Sequence, residues 1–190
     1  MENKGLLRKT ALNYGLMMGG VAIALSVIQY ATGQFDMSGQ TEGRWIWMLI
    51  SMAVTITIAI MGAKKYKTDG DGFMNFGEGF QLFFTMIIYS TLLTVVWLAI
   101  YMFVLEPGYQ EVILNATHDQ MIERGAEPGT AGYDTGMEWT EKMTTPVFML
   151  LITIVQSAIF AAILGLILSA FLKNNRPFFN ESTIDSDTEA

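Results

Sequence analysis

Two polar side chains sit where lipid-soluble surroundings would make them matter. Gln156 is a carboxamide well inside a long apolar run, beside Ser157, and Glu78 is a carboxylate at the edge of another such run. An amide both donates and accepts hydrogen bonds, so in an apolar setting it can hold a polar solute or bond a neighbouring helix. A carboxylate at the mouth of a bundle can attract a cation, or can simply remain solvated. Gln156 and Glu78 are therefore the candidate polar path. The plainer alternative is an interhelical bond for Gln156 and an interfacial position for Glu78.

Other chemistry finds little footing. His118 is the single histidine, and there is no cysteine. A metal site would need further His or Cys ligands, and a general base would need a partner to orient it. Thiolate catalysis, disulfides and iron–sulfur clusters fall away with the cysteines. The acidic residues between Glu106 and Glu141 lack the dense alternation of a calcium loop. No Walker, GxSxG or HExxH pattern occurs. The expectation is a protein with no catalytic, metal or cofactor residues, hence not an enzyme.

Small residues recur at intervals of four. One ladder is Gly15 and Gly19, preceded by Ala11. A second is Ser51, Thr55 and Ala59, followed by Ala63, and a third is Ser157, Ala161, Gly165 and Ser169. This spacing keeps them on one helix face, where they let backbones approach closely. They fit packing among the protein's own helices, with a contact surface for a partner as the alternative. The third apolar run has no ladder and is rich in Phe, Leu and Tyr. It is expected to face lipid more, or to fill gaps.

The elements that must position these residues are four apolar runs: Ala11 to Thr32, Trp45 to Ala63, Phe80 to Val104 and Val147 to Leu172. None contains Asp, Glu, Lys or Arg. A helix needs roughly 20 mostly apolar residues to cross the hydrocarbon core. Backbone groups left unpaired in lipid are costly, which selects helices over strands. The expected fold is all-α and integral to the membrane: one four-helix transmembrane domain over 1–176, with spans 11–32, 45–63, 80–104 and 147–172. Residues 177–190 form an acidic tail expected to be disordered; from Asn180 on it has no bulky apolar side chain except Ile184. The first run is too long for the core of a signal peptide and no Ala-x-Ala site follows it, so an uncleaved span is expected.

Charge sets the orientation. Eight of the 11 Lys and Arg residues lie in the N-terminal tail, the second connection and the C-terminal tail. Cytoplasmic loops are enriched in these residues, so both termini are expected inside. Tyr30, Trp45, Trp47, Trp97 and Tyr101 then fall at the outer interface, where amphipathic rings settle. The net charge of −7 argues against nucleic-acid binding. In the inner connection, Phe73, Phe76, Gly77 and Phe80 have the spacing of a short interfacial helix. The outer loop, 105–146, is expected to be partly helical, over Tyr109 to Arg124 and again over Asp134 to Met143.

Several short motifs together resemble a bacterial membrane family known as domain of unknown function 4199. They are Tyr14-Gly15, Phe76-Gly77-Glu78-Gly79-Phe80, Glu106-Pro107, Met121-Ile122-Glu123-Arg124-Gly125, Thr145-Pro146 and Leu168-Ser169-Ala170-Phe171-Leu172-Lys173. The similarity runs from about Leu6 to Arg176, with Gly79 standing where the family often has Ala. The resemblance implies a four-span protein of a bacterial inner membrane and carries no activity. The functional expectation is a non-enzymatic accessory or assembly subunit, in contact with the lipid bilayer and with a membrane protein partner or a second copy. The alternative is a small channel or carrier acting as a homo-oligomer, with Gln156 and Ser157 on its path.

Overall fold

In the computed structural model, residues 2–34 and 44–175 are described. The acidic tail over 177–190, and most of the first connection, lie outside them. The regular elements are all helices: α1 (Glu2–Ala31), α2 (Arg44–Asp69), α3 (Phe76–Ile100), α4 (Tyr109–Glu123), α5 (Ala131–Met143) and α6 (Pro146–Leu172). A π-helical turn, Tyr101–Leu105, continues α3. Four of these elements, α1, α2, α3 with its π turn, and α6, are long and apolar enough to cross a membrane.

Two helices outrun the expected spans. α1 starts at Glu2 rather than near Ala11, and α2 continues to Asp69 past Ala63. Hydropathy falls where Lys4, Arg8, Lys9, Lys64, Lys65 and Lys67 appear, but Lys and Arg are good helix formers. The helices therefore carry their charges beyond the bilayer without unwinding. Pro107 stands just beyond the π turn, where it cannot continue the helix. At the start of α6, Thr145 is the N-cap and Pro146 takes the first helical position, where its missing N–H is no loss.

The interfacial helix expected around Phe73 is absent from its place. Phe76 to Phe80 is instead the opening of α3 itself. Asn75 is its N-cap, and the Asn75 N–H donates to Glu78 Oε2 at 2.8 Å. This carboxylate three residues into the helix satisfies a backbone donor that the helix cannot. Just before it, Met74 and Asn174 exchange backbone hydrogen bonds of 3.0 and 2.9 Å. Lys67 Nζ reaches the carbonyl of Leu172 at 2.6 Å, a cation on the C-terminal end of α6. The α2–α3 connection is thus tied to the chain leaving α6.

The helices are arranged around α3. α1 and α6 each make their largest contact with it, and α2 lies chiefly against α1. Of the two expectations for the third span, filling gaps fits: Leu82, Phe83 and Met86 in α3 are wholly buried, so it is not the span that chiefly faces lipid. A helix of bulky side chains is what two ladders of small residues can receive. Exposed apolar side chains lie on the N-terminal half of α2 from Trp45 to Met52, on the far side of α6, and on α3 itself at Leu92, Val96 and Ile100. At the other end of the molecule, Tyr101, Met102 and Tyr109 form a second small core, with the ring of Tyr30 edge-on to Tyr101 at 5.8 Å.

Candidate functional site

The ladders meet α3 at close quarters. A Cβ added to Gly15 would lie 2.6 Å from the Met86 carbonyl oxygen and 2.8 Å from Tyr89 Cβ. At Gly19 it would lie 2.9 Å from Leu93 Cδ1. On α6, Ala161, Gly165 and Ser169 are buried. A Cβ on Gly165 would come within 3.3 Å of the Phe80 ring, and one on Gly79 within 3.3 Å of Ser169 Cβ. The Ser169 hydroxyl donates back to the Gly165 carbonyl, which leaves no polar demand on α3. On α2, Ala59 and Ala63 are buried, whereas Ser51 and Thr55, nearer its exposed N-terminal half, are half-buried. Gly15 and Gly19 of α1, and Gly165 and Ser169 of α6, are packed on this chain's own α3.

Gln156 lies on the far side of α6, exposed, with exposed Ile152, Val155, Ile159 and Ile163 around it. Those positions recur at three- and four-residue intervals and form one helix face. Ser157 turns partly inward. Glu78 is elsewhere, next to Gly79, which packs on Ser169. Along α6 the level of Ser169 is about 20 Å from Gln156, at 1.5 Å per residue. The structure does not bring the two candidate polar residues together, and a path inside one chain joining them is not present among the described residues. Glu78 acts as a helix cap, and Gln156 looks outward.

Two clefts flank the first turns of α1. One, of about 520 Å³, lies between α1 and α2. Lys9, Thr10, Asn13 and Tyr14 line it from α1, and Met61, Lys65 and Asp69 from α2. Lys65 pairs with Asp69 at 2.8 Å. The other, of about 460 Å³, lies between α1 and α3 and is lined by Lys4, Arg8, Gln81, Thr85 and Tyr89. Neither cleft was anticipated from sequence. The signal was present in Lys9, Asn13 and Met17, which share one stripe of α1, and in Lys65 and Asp69, one turn apart on α2.

The connection between α3 and α6 is a hairpin of α4 and α5. The Tyr109 hydroxyl donates to the Thr144 carbonyl at 2.7 Å, and Gln110 Nε2 to the Glu141 carbonyl at 3.2 Å. His118 Nδ1 is hydrogen-bonded to the Tyr133 hydroxyl, with the two rings edge-on. Met121 packs on Gly136, where a Cβ would meet its Cε at 2.8 Å. α5 begins at Ala131, one turn before the expected start at Asp134. Burial raises the Tyr109 phenol above its usual range. The Lys142 ammonium, hydrogen-bonded to Glu138 at 2.5 Å, lowers that carboxyl. Among the described residues, no group of three or more His, Asp or Glu is placed to hold a metal ion.

Four long apolar helices, with a helical hairpin between the last two, define a multi-pass helical membrane protein. The chain belongs to the family described as protein of unknown function DUF4199, whose model matches residues 13–174. No curated protein and no solved structure matches it.

Proposed function

We propose that this is a non-enzymatic accessory or assembly subunit of a bacterial inner membrane, with both termini cytoplasmic, and that it receives a partner's membrane helix on the outward face of α6. The observation that carries the reading is the exposed Gln156 amid isoleucine and valine. An amide facing hydrocarbon without a partner is costly, and an interhelical hydrogen bond from it contributes about 0.6–2 kcal/mol. The α1 and α6 ladders pack on α3; α6's outer side and the N-terminal half of α2 are both open, and Gln156 singles out α6. The charge asymmetry of the connections supports the orientation.

The test is gentle extraction of the natively expressed protein, with mass spectrometry of what co-purifies and light scattering of the peak. A stoichiometric second membrane protein, lost on Gln156→Leu with the fold intact, is the expected result. A monomer unchanged by Gln156→Leu would end the proposal. A homo-oligomer that carries solute across liposomes, with flux falling in Gln156→Leu, would replace it with the small channel or carrier. Gly165→Leu is unsuitable for this purpose, because it would wedge α6 from α3 rather than report on a partner.

A further inference from the structure

The cleft between α1 and α2 has an ordered polarity. Lys9 and Lys65, with Asp69 and with Leu6 one turn before Lys9, stand at the basic end of the two helices. Thr10, Asn13 and Tyr14 follow, offering hydroxyl and amide groups. Met17 and Met61 close the sequence at the apolar end, each with nearly half of its surface exposed. From Lys9 to Met17 is about 12 Å along the helix axis. A phospholipid presents the same order over a similar depth: phosphate, then glycerol and ester oxygens, then acyl chain. The volume of about 520 Å³ is within the usual size of a small-molecule site, roughly 300–1,000 Å³.

We propose that this cleft binds one anionic phospholipid, its phosphate between Lys9 and Lys65 and the start of an acyl chain along Met17 and Met61. Charge selects the anionic class. Two ammonium groups against one carboxylate leave the lining net positive. The Asp69 carboxylate, 2.8 Å from the Lys65 ammonium, holds the place that a lipid phosphate would compete for. Basic pockets between transmembrane helices are a recurrent way of holding such headgroups. The methionine end selects a lipid over a soluble phosphate, because a free anion gains nothing from thioether walls. Asn13 and Tyr14, at the middle depth, can bond the ester oxygens that zwitterionic and anionic lipids share, so headgroup discrimination rests on the lysines.

Basic residues near any membrane attract anionic lipid diffusely, at about 1 kcal/mol each. Lys4 and Arg8, in the other cleft across α1, provide the comparison. The experiment is native mass spectrometry of the full chain in detergent, titrated with phosphatidylglycerol or phosphatidylcholine, with and without excess inorganic phosphate. The expected result is at least fivefold stronger retention of one phosphatidylglycerol, unaffected by phosphate. Lys9→Gln with Lys65→Gln abolishes the preference, and Lys4→Gln with Arg8→Gln preserves it. Asp69→Asn provides a gain that misfolding cannot imitate: removing the competing carboxylate should tighten phosphatidylglycerol severalfold. Equal retention of the two lipids, equal loss in both double variants, full competition by phosphate, or no gain in Asp69→Asn would each overturn the proposal.

Discussion

Gly15 and Gly20 stand on the same helix and face different surroundings. A methyl group at Gly15 would run into the Met86 carbonyl, and a backbone oxygen cannot swing aside as a side chain can. A methyl at Gly20 meets nothing within 4 Å. Gly15→Ala should therefore destabilise the α1–α3 pair by about 1–3 kcal/mol, the usual cost of overpacking. Gly20→Ala should be neutral, or stabilising by up to about 1 kcal/mol through helix propensity. Reversible unfolding in mixed micelles compares the two, and equal effects would refute the packing described for α1. At this scale the sequence was readable in part. The four-residue spacing puts Gly15 with Gly19, Ser51 with Thr55 and Ala59, and Ser157 with Ala161, Gly165 and Ser169, each set on one face of its helix. It could not say what they pack against. Gln156 and Glu78 were singled out by polarity, but only coordinates show that one looks outward and the other caps a helix. The α1–α2 cleft escaped because its residues come from two helices, and no spacing within one segment reveals a juxtaposition between two.

Among the elements, the α4–α5 hairpin is the one whose stability should answer to pH. Its Tyr109 hydroxyl holds Thr144 only while protonated. Burial favours the neutral phenol and raises its folded value above the ordinary one near 10. Its contribution is therefore complete below about pH 10 and is lost as pH rises through the raised folded value. Tyr109→Phe should cost about 1 kcal/mol and remove this alkaline loosening. Hydrogen exchange of α4 and α5 against pH measures both, and an unchanged alkaline response in the variant would assign it elsewhere. Glu138 works in the opposite sense. Its carboxyl is lowered by Lys142, so its small exposed contribution is present above the ordinary carboxylate range and lost as pH falls through the lowered value. The transmembrane helices themselves were plain in the hydropathy. Their ends were not, because charge ends an apolar run without ending a helix: α1 reaches back to Glu2 and α2 on to Asp69. The Phe73–Phe80 pattern misled for a related reason. The apolar face of a helix's first turn has the same spacing as a short helix lying on the membrane.

For the whole molecule, the proposed orientation can be tested cleanly because there is no native cysteine. Thr135 on α5 and Thr68 at the end of α2 are both exposed. In intact cells a membrane-impermeant maleimide should label Thr135→Cys, and should label Thr68→Cys only after lysis. The reverse pattern would invert the topology and move the α1–α2 cleft to the opposite leaflet. Four spans could be counted from sequence alone, whereas their mutual placement could not, since hydropathy records that a helix meets lipid without recording which side does.

That α3 is the hub has a consequence in time. A chain is made from its N-terminus, so α1 and α2 are in the bilayer before the helix that α1 packs against most extensively has been synthesised. Until α3 arrives, the Gly15–Gly19 face of α1 has only acyl chains to meet it. α6 in turn must wait for α4 and α5 to be made before it can close on the other side. The order in which the helices are born is thus not the order in which they are most tightly joined, and the half-made protein must pass through a state in which its closest-packing surface is wetted by lipid.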